Sequence, residues 1–401
     1  MKASLYGHTD IVILLLQNGA TVNSQDNDGC TPLMSASRRG HLDIARLLIQ
    51  SGAVLDLCDH DGWTPLMSAS LHGYPDVVHL LLQNGAMVNS RNNDGWTPLA
   101  VASQCGNSDI VRCLLQNDAA VDSQNNDCWT PLMSASRYGH LDLVRLLVNS
   151  GAAVDLPDIH GWTPLMSESR YGYPHIVLLL LQNGATANSH NKCGWSPLLL
   201  ASRSGHLDIV RFLVHGGAPM DAYSLDSCQW TPLISASRYG YPDIMLFLLQ
   251  SGAAVDRCDN DGWTPLMSAL RYGYADVVPI LIQNGAIVDS RNNSGLTPLM
   301  LASRCGDLDI AGSLLQKCAA VESRGNDGYT SLMIASEMGY QDVVRLLLQS
   351  GAAMDTRDNR GWTPLMLASQ EGHLEVVRLL LQSGAAASSH HVDGLTPSIG
   401  A

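Results

Sequence analysis

Lysine is almost missing from this chain. Of its 23 basic residues only Lys2, Lys192 and Lys317 are lysines; the rest are arginines. Charge of either sign is scarce, at 15% of residues, and phenylalanine occurs twice against eight tryptophans and twelve tyrosines. A formal net charge of −14 excludes the strongly basic surface that grips nucleic acid through its phosphates, so no nucleic-acid partner is expected. The ten cysteines fall at unrelated places without a CxxC pair, which fits free thiols rather than a disulfide framework. That pattern suits a reducing compartment, the cytoplasm or alternatively the nucleus. The opening "MKASLYGHTDIVILLLQ" is neither a signal peptide nor a membrane span, and direct membrane insertion is not expected. HExxH, GxxxxGK[ST], GxSxG and metal-ligand spacings are all missing, so the reading is of a non-enzyme with no catalytic residue, no metal and no cofactor. The fourteen histidines sit at turns and helix starts, where structural or surface roles suffice; His390 and His391 form an isolated pair near the end.

What the chain has instead is one phrase, rewritten. "GWTPLMSAS" at residues 62–70 returns as "WTPLMSAS" from Trp129, "GWTPLMSES" from Gly161, "GWTPLMSAL" from Gly262 and "GWTPLMLAS" from Gly361. The Thr-Pro position recurs from Thr31 to Thr396 in steps of 33 residues, save the step of 35 from Ser196 to Thr231. Copying of one template explains the odd composition. Lysine depletion then has two readings, a template that lacked lysine or a surface that resists ubiquitin attachment, and copying is the simpler.

One period can be built from physical rules. In residues 62–94, Thr64 is a good N-cap and Pro65 suits the first helical position, where its missing N–H costs nothing. Leu66 and Ala69 share a face, and Gly73 stops this short helix in a left-handed conformation. A second helix starts near Pro75 with Asp76 at the positive end of its dipole, and its run "VVHLLL" needs cover on both sides. Gly85 ends it, and "VNSRNNDG" forms an exposed finger. Both helices are shorter than the ~12–15 residues at which an isolated helix becomes even marginal, so each period must lean on its neighbours.

Period, Thr-Pro-Leu, central Gly and the Gly-Ala that closes the second helix together resemble the ankyrin repeat, over essentially the whole chain. The resemblance implies an all-α solenoid of stacked helix-turn-helix units with β-hairpin or loop fingers, curved with a concave groove. The organisation expected is a partial repeat at 1–28, then eleven repeats at 29–61, 62–94, 95–127, 128–160, 161–193, 194–228, 229–261, 262–294, 295–327, 328–360 and 361–393, and a truncated start at 394–401. Both ends lack a polar capping repeat, so a piece of a longer protein is expected. One departure is systematic: the family's histidine after Thr-Pro-Leu is replaced by Met34, Met67, Ala100, Met133, Met166, Leu199, Ile234, Met267, Met300, Met333 and Met366, an apolar contact for a hydrogen bond.

Several repeats break their own rule. Glu168 stands where the other complete repeats have Ala, and burial there raises a carboxyl pKa. Asp118 and Cys318 replace the helix-ending Gly at a conformational cost, and Pro279 falls inside a second helix. The long finger at 218–230 is a place for a bend or a partner contact, with simple insertion as the plainer reading.

The resemblance also implies function: a non-enzymatic scaffold or adaptor that binds other proteins, as extended or acidic segments, along the groove of a monomeric array. Trp63, Trp96, Trp129, Trp162, Trp195, Trp230 and Trp263 form a stripe at the finger tips. Arg137, Arg170, Arg203, Arg238 and Arg271 form a second stripe before the central Gly, beside Tyr138, Tyr171, Tyr239 and Tyr272. Trp, Tyr and Arg dominate protein-binding hot spots. Against this stands a purely structural alternative, in which each Trp packs a finger and each Arg pairs with a neighbouring finger Asp. Two other functions remain open: a regulatory arm of a larger enzyme, channel or ubiquitin-ligase adaptor, and an architectural spacer.

Overall fold

A computed structural model describes residues 1–226 and 228–386. The truncated start at 394–401, the last residues of the expected repeat at 361–393, and the His390-His391 pair lie outside the described residues. The described chain contains twenty-four α-helices and one 3-10 turn in tandem pairs, and no strand. It divides into two compact blocks, Met1–Lys192 and Cys193–Ala401, each considered on its own below.

The pair Pro65–His72 and Pro75–Gln83 shows the rule. Thr64 caps the first helix by accepting the Met67 N–H at 3.3 Å, with Pro65 behind it. Leu66, Met67 and Ala69 on the first helix, and Val78 and Leu81 on the second, are fully buried. Within each block every first helix packs on the first helix of its neighbour. The small residue at the Ala69 position allows that approach, and burying each large aliphatic side chain contributes about 1.5–3 kcal/mol. The residues standing in for the family's histidine, from Met34 to Met366, are all buried, so their contacts are apolar. Met34 does slightly more, because its sulfur accepts the Thr31 N–H at 3.3 Å.

The central glycine has two duties. Gly40 closes its helix at φ 72°, and a Cβ there would lie 2.3 Å from the Tyr74 ring of the next repeat. The ring that opens one second helix therefore rests on the bare backbone of the turn before it. Where histidine replaces that tyrosine, the same contact becomes a hydrogen bond: His140 Nε2 lies 3.2 Å from the Gln104 carbonyl, and His373 Nε2 lies 2.8 Å from that of Glu337. Asn107 does likewise, donating to the Ser70 carbonyl at 3.0 Å. These ties join consecutive repeats at a different point from the family's lost histidine.

The fingers are loops, not β-hairpins. The Asp59 N–H donates to the Trp63 carbonyl at 3.0 Å, but the Trp63 N–H donates back to the Asp59 side chain at 2.8 Å. The carboxylate takes the place of the main-chain acceptor that a β ladder needs, and the Asp59 carbonyl accepts the Gly62 N–H instead. Neighbouring fingers share a main-chain bond, such as the Asn93 N–H to the Asp61 carbonyl at 3.0 Å. A second ladder runs behind them, where Asp56 accepts the Met87 N–H at 2.9 Å and Asp256 accepts the Ile287 N–H at 2.8 Å. The long finger keeps this pattern. Asp221 accepts the Ala254 N–H at 3.0 Å, Ser224 replaces the usual Asp or Asn as partner of Trp230, and the exposed Leu225 makes the regular bond to the previous finger, its N–H donating to the Cys193 carbonyl at 2.9 Å.

The irregular repeats behave as their residues require. Asp118 and Cys318 adopt φ 64° and 63° in place of glycine, and Cys128 and Gln229 do the same in the fingers at 61° and 52°. Pro279 splits its second helix into a 3-10 turn at Ala275–Val277 and a short helix at Val278–Gln283. Proline carries no N–H and its ring collides with the preceding turn, so the first turn cannot remain α-helical.

Candidate binding face

The finger tryptophans are held by their main chain. Besides Trp63, the N–H groups of Trp96, Trp129, Trp162 and Trp263 each donate at 2.8 Å to an Asp or Asn four residues earlier. The indoles are half-buried, with Trp230 the most enclosed. Eight residues after a tryptophan the first helix reaches its last turn, where an arginine both complements the helix dipole and leans back over the indole.

In the block Met1–Lys192, the Arg137 guanidinium lies 5.3 Å from the ring centres of both Trp129 and Tyr171. Arg170 lies 5.7 Å from Trp162 and 5.9 Å from Tyr171. These residues, with Asp127, Asp158, His160 and Ser167, line a hollow of about 490 Å³. In the block Cys193–Ala401, Arg203 lies 5.0 Å from Trp195 and 5.7 Å from both Trp230 and Tyr239. Arg238 lies 4.4 Å from Trp230 and 4.2 Å from Tyr272, while Arg271 lies 4.4 Å from Trp263 and 5.8 Å from Tyr272. Trp195 and Trp230 meet edge to face at 6.2 Å.

Contact of the guanidinium with aromatic rings therefore helps to position Arg137, Arg203, Arg238 and Arg271. For Arg137, Arg203, Arg238 and Arg271 no finger Asp lies within ion-pair distance; the ion pairs Arg345–Asp342 and Arg378–Glu375 of the described residues lie on second helices. The finger carboxylates are already engaged, as Asp259 accepts from the Trp263 and Asp261 N–H groups. Stacking covers the flat faces of a guanidinium and leaves its edge N–H groups available.

Three residues of the stripes fall outside these clusters. Trp63 and Trp96 have Leu71 and Gln104 where the others have arginine, so no cation covers them. Tyr138 stands apart too, its ring stacking on His140 at 6.3 Å and its hydroxyl accepting from Gln104 at 3.3 Å. Arg137 stacks on Tyr171 of the following repeat instead, a crossing that spacing within one repeat does not reveal.

The pattern changes near residues 296–360. Leu296 and Tyr329 stand in the tryptophan position and Glu337 in the arginine position, around a hollow of about 600 Å³. Burial raises the Glu337 carboxyl above its usual range, with the Glu371 charge adding to the effect and a hydrogen bond from Tyr329 opposing it. Burial and nearby carboxylates push the Tyr329 hydroxyl up to about 12. Among the described residues, no cluster of His, Cys, Asp or Glu is placed to hold a metal ion, and no helix is long and apolar enough to cross a membrane.

The family model for ankyrin repeats, three copies per match, fits residues 1–92, 51–127, 83–158, 99–191, 165–259, 247–324 and 318–391. The chain belongs to the ankyrin-repeat family. Ankyrin repeats are generally non-catalytic modules that bind other proteins. No curated protein matches this ankyrin array.

Proposed function

We propose that this ankyrin array is a protein-interaction scaffold whose Trp–Arg–Tyr face takes an extended, acidic segment of a partner. The observation that carries this reading is the state of the arginines. Arg137, Arg203, Arg238 and Arg271 are each stacked on aromatic rings, and no carboxylate lies within ion-pair distance of them. A stacked guanidinium has lost part of its hydration and rotamer freedom before any ligand arrives, so pairing it with a carboxylate costs less. The array works as a monomer in a reducing compartment, the cytoplasm or nucleus, in keeping with ten cysteines that form no disulfide framework, six of them exposed.

Affinity capture with the wild-type array and with the Arg170→Glu, Arg238→Glu double variant tests this. Partners of the face are lost from the variant, because like charges now meet across the interface. An unchanged set of captured proteins would refute the assignment of this face.

A further inference from the structure

We infer that the segment read by the block Cys193–Ala401 is a polyproline-II chain with a carboxylate at every third residue. The inference rests on the proposed face and adds its register. Arg203, Arg238 and Arg271 offer one cation per repeat, lying 5.0, 4.4 and 4.4 Å from the ring centres of Trp195, Trp230 and Trp263, each with N–H donors for a carboxylate. The first helices that carry them pack side by side, at the spacing of about 8–10 Å usual for packed helices.

A ligand must match that step with side chains on one face. A polyproline-II chain has three residues per turn at ~3.1 Å each, so every third side chain returns to the same face about 9.3 Å on. A β-strand returns to the same face after ~6.8 Å or ~13.6 Å, matching neither end of the range. An α-helix offers seven residues at ~10.5 Å, beyond the range, in a body ~10–12 Å wide. Only the polyproline-II step falls inside the interval. Composition of the face agrees: Trp230 lies against both Arg203 and Arg238, Tyr272 against both Arg238 and Arg271, and aromatic rows are surfaces on which proline rings pack. The run is limited at Glu337, which stands in the arginine position and repels a further carboxylate.

The test uses the full chain and labelled nine-residue peptides read by fluorescence anisotropy. One peptide repeats Glu-Pro-Pro three times; a second has the same composition with its three Glu residues adjacent; a third carries phosphoserine in place of Glu. A longer, fifteen-residue helical peptide with its three Glu seven residues apart is the fourth arm. The spaced Glu peptide is expected to bind at least tenfold more tightly than the clustered and helical peptides, and no less tightly than the phosphorylated one. Arg238→Gln should weaken it by roughly tenfold, as loss of one charge-assisted hydrogen-bonded rung implies. Arg345→Gln, on an exposed second helix, should leave it unchanged. Thermal melting of Arg238→Gln checks that the variant is folded, and Arg238→Lys separates loss of charge from loss of the planar fork. Equal binding of spaced and clustered peptides, both weakened by Arg238→Gln, overturns the register and leaves the acidic-ligand face standing. Preference for the helical or phosphorylated peptide overturns the inference. Failure of every peptide overturns it too, while the capture experiment judges the face by itself.

Discussion

Glu168 is the costliest side chain in the described array. It is fully buried on the helix Pro164–Tyr171 with no hydrogen-bond partner for either carboxylate oxygen. Burial raises its pKa from 4.5 to about 9, with the Arg137 charge opposing only part of that rise. The sign follows from proton counting. Between pH 4.5 and 9 the folded chain keeps a proton that the unfolded chain releases, so stability is highest at the acid side and falls as pH rises. Near pH 7 the deficit is roughly 3 kcal/mol. Glu168→Ala restores the residue of the other repeats, and its urea midpoint should exceed wild type by a margin that widens from pH 5 to pH 8. A margin independent of pH would show that the carboxyl titrates normally. That Glu168 would meet a packed interface was legible in the sequence, because its position in the repeat is occupied by Ala elsewhere. The missing hydrogen-bond partner was not, since that depends on which side chains surround it.

At the scale of elements, periodicity carried most of the information. Thr-Pro caps and glycine stops mark the first helices from Pro32–Arg39 to Pro364–Gln370, with Ser196 replacing Thr at one start and Ser331 replacing Pro at another. The fingers were less legible, because alternating polar residues do not tell a hairpin from a loop whose Asp side chain replaces a main-chain acceptor. Pro279 gives a direct check. Its side chain is exposed, so Pro279→Arg, the residue found at the matching Arg112 and Arg145, changes the backbone without disturbing the core. Hydrogen exchange across residues 275–283 should slow in this variant as the 3-10 turn becomes α-helical, and stability should rise by up to about 3 kcal/mol. Unaltered exchange would place the cause of the split elsewhere than in the proline ring.

Within each block, the helix contacts of the described residues run between neighbouring repeats. Packing, finger bonds and the Asp ladder each join a repeat to the next, so cooperativity decays along the chain. Urea unfolding followed by tryptophan fluorescence and circular dichroism should therefore show more than one transition, in line with the two compact blocks. Glu168→Ala should shift the transition of Met1–Lys192 and leave the other in place. Coincident curves that move together in the variant would mean that the array unfolds as one cooperative body.

Repetition alone determined the family, the helix pairs and the buried positions, because a residue's place in the period fixes whether it can face solvent. Tertiary structure decided which stripe residues meet. Arg137 reaches Tyr171 rather than Tyr138, Arg203 reaches Trp230, and Tyr74 rests on Gly40. Each of these contacts crosses from one repeat to the next, where separation in space is set by stacking and not by distance along the chain.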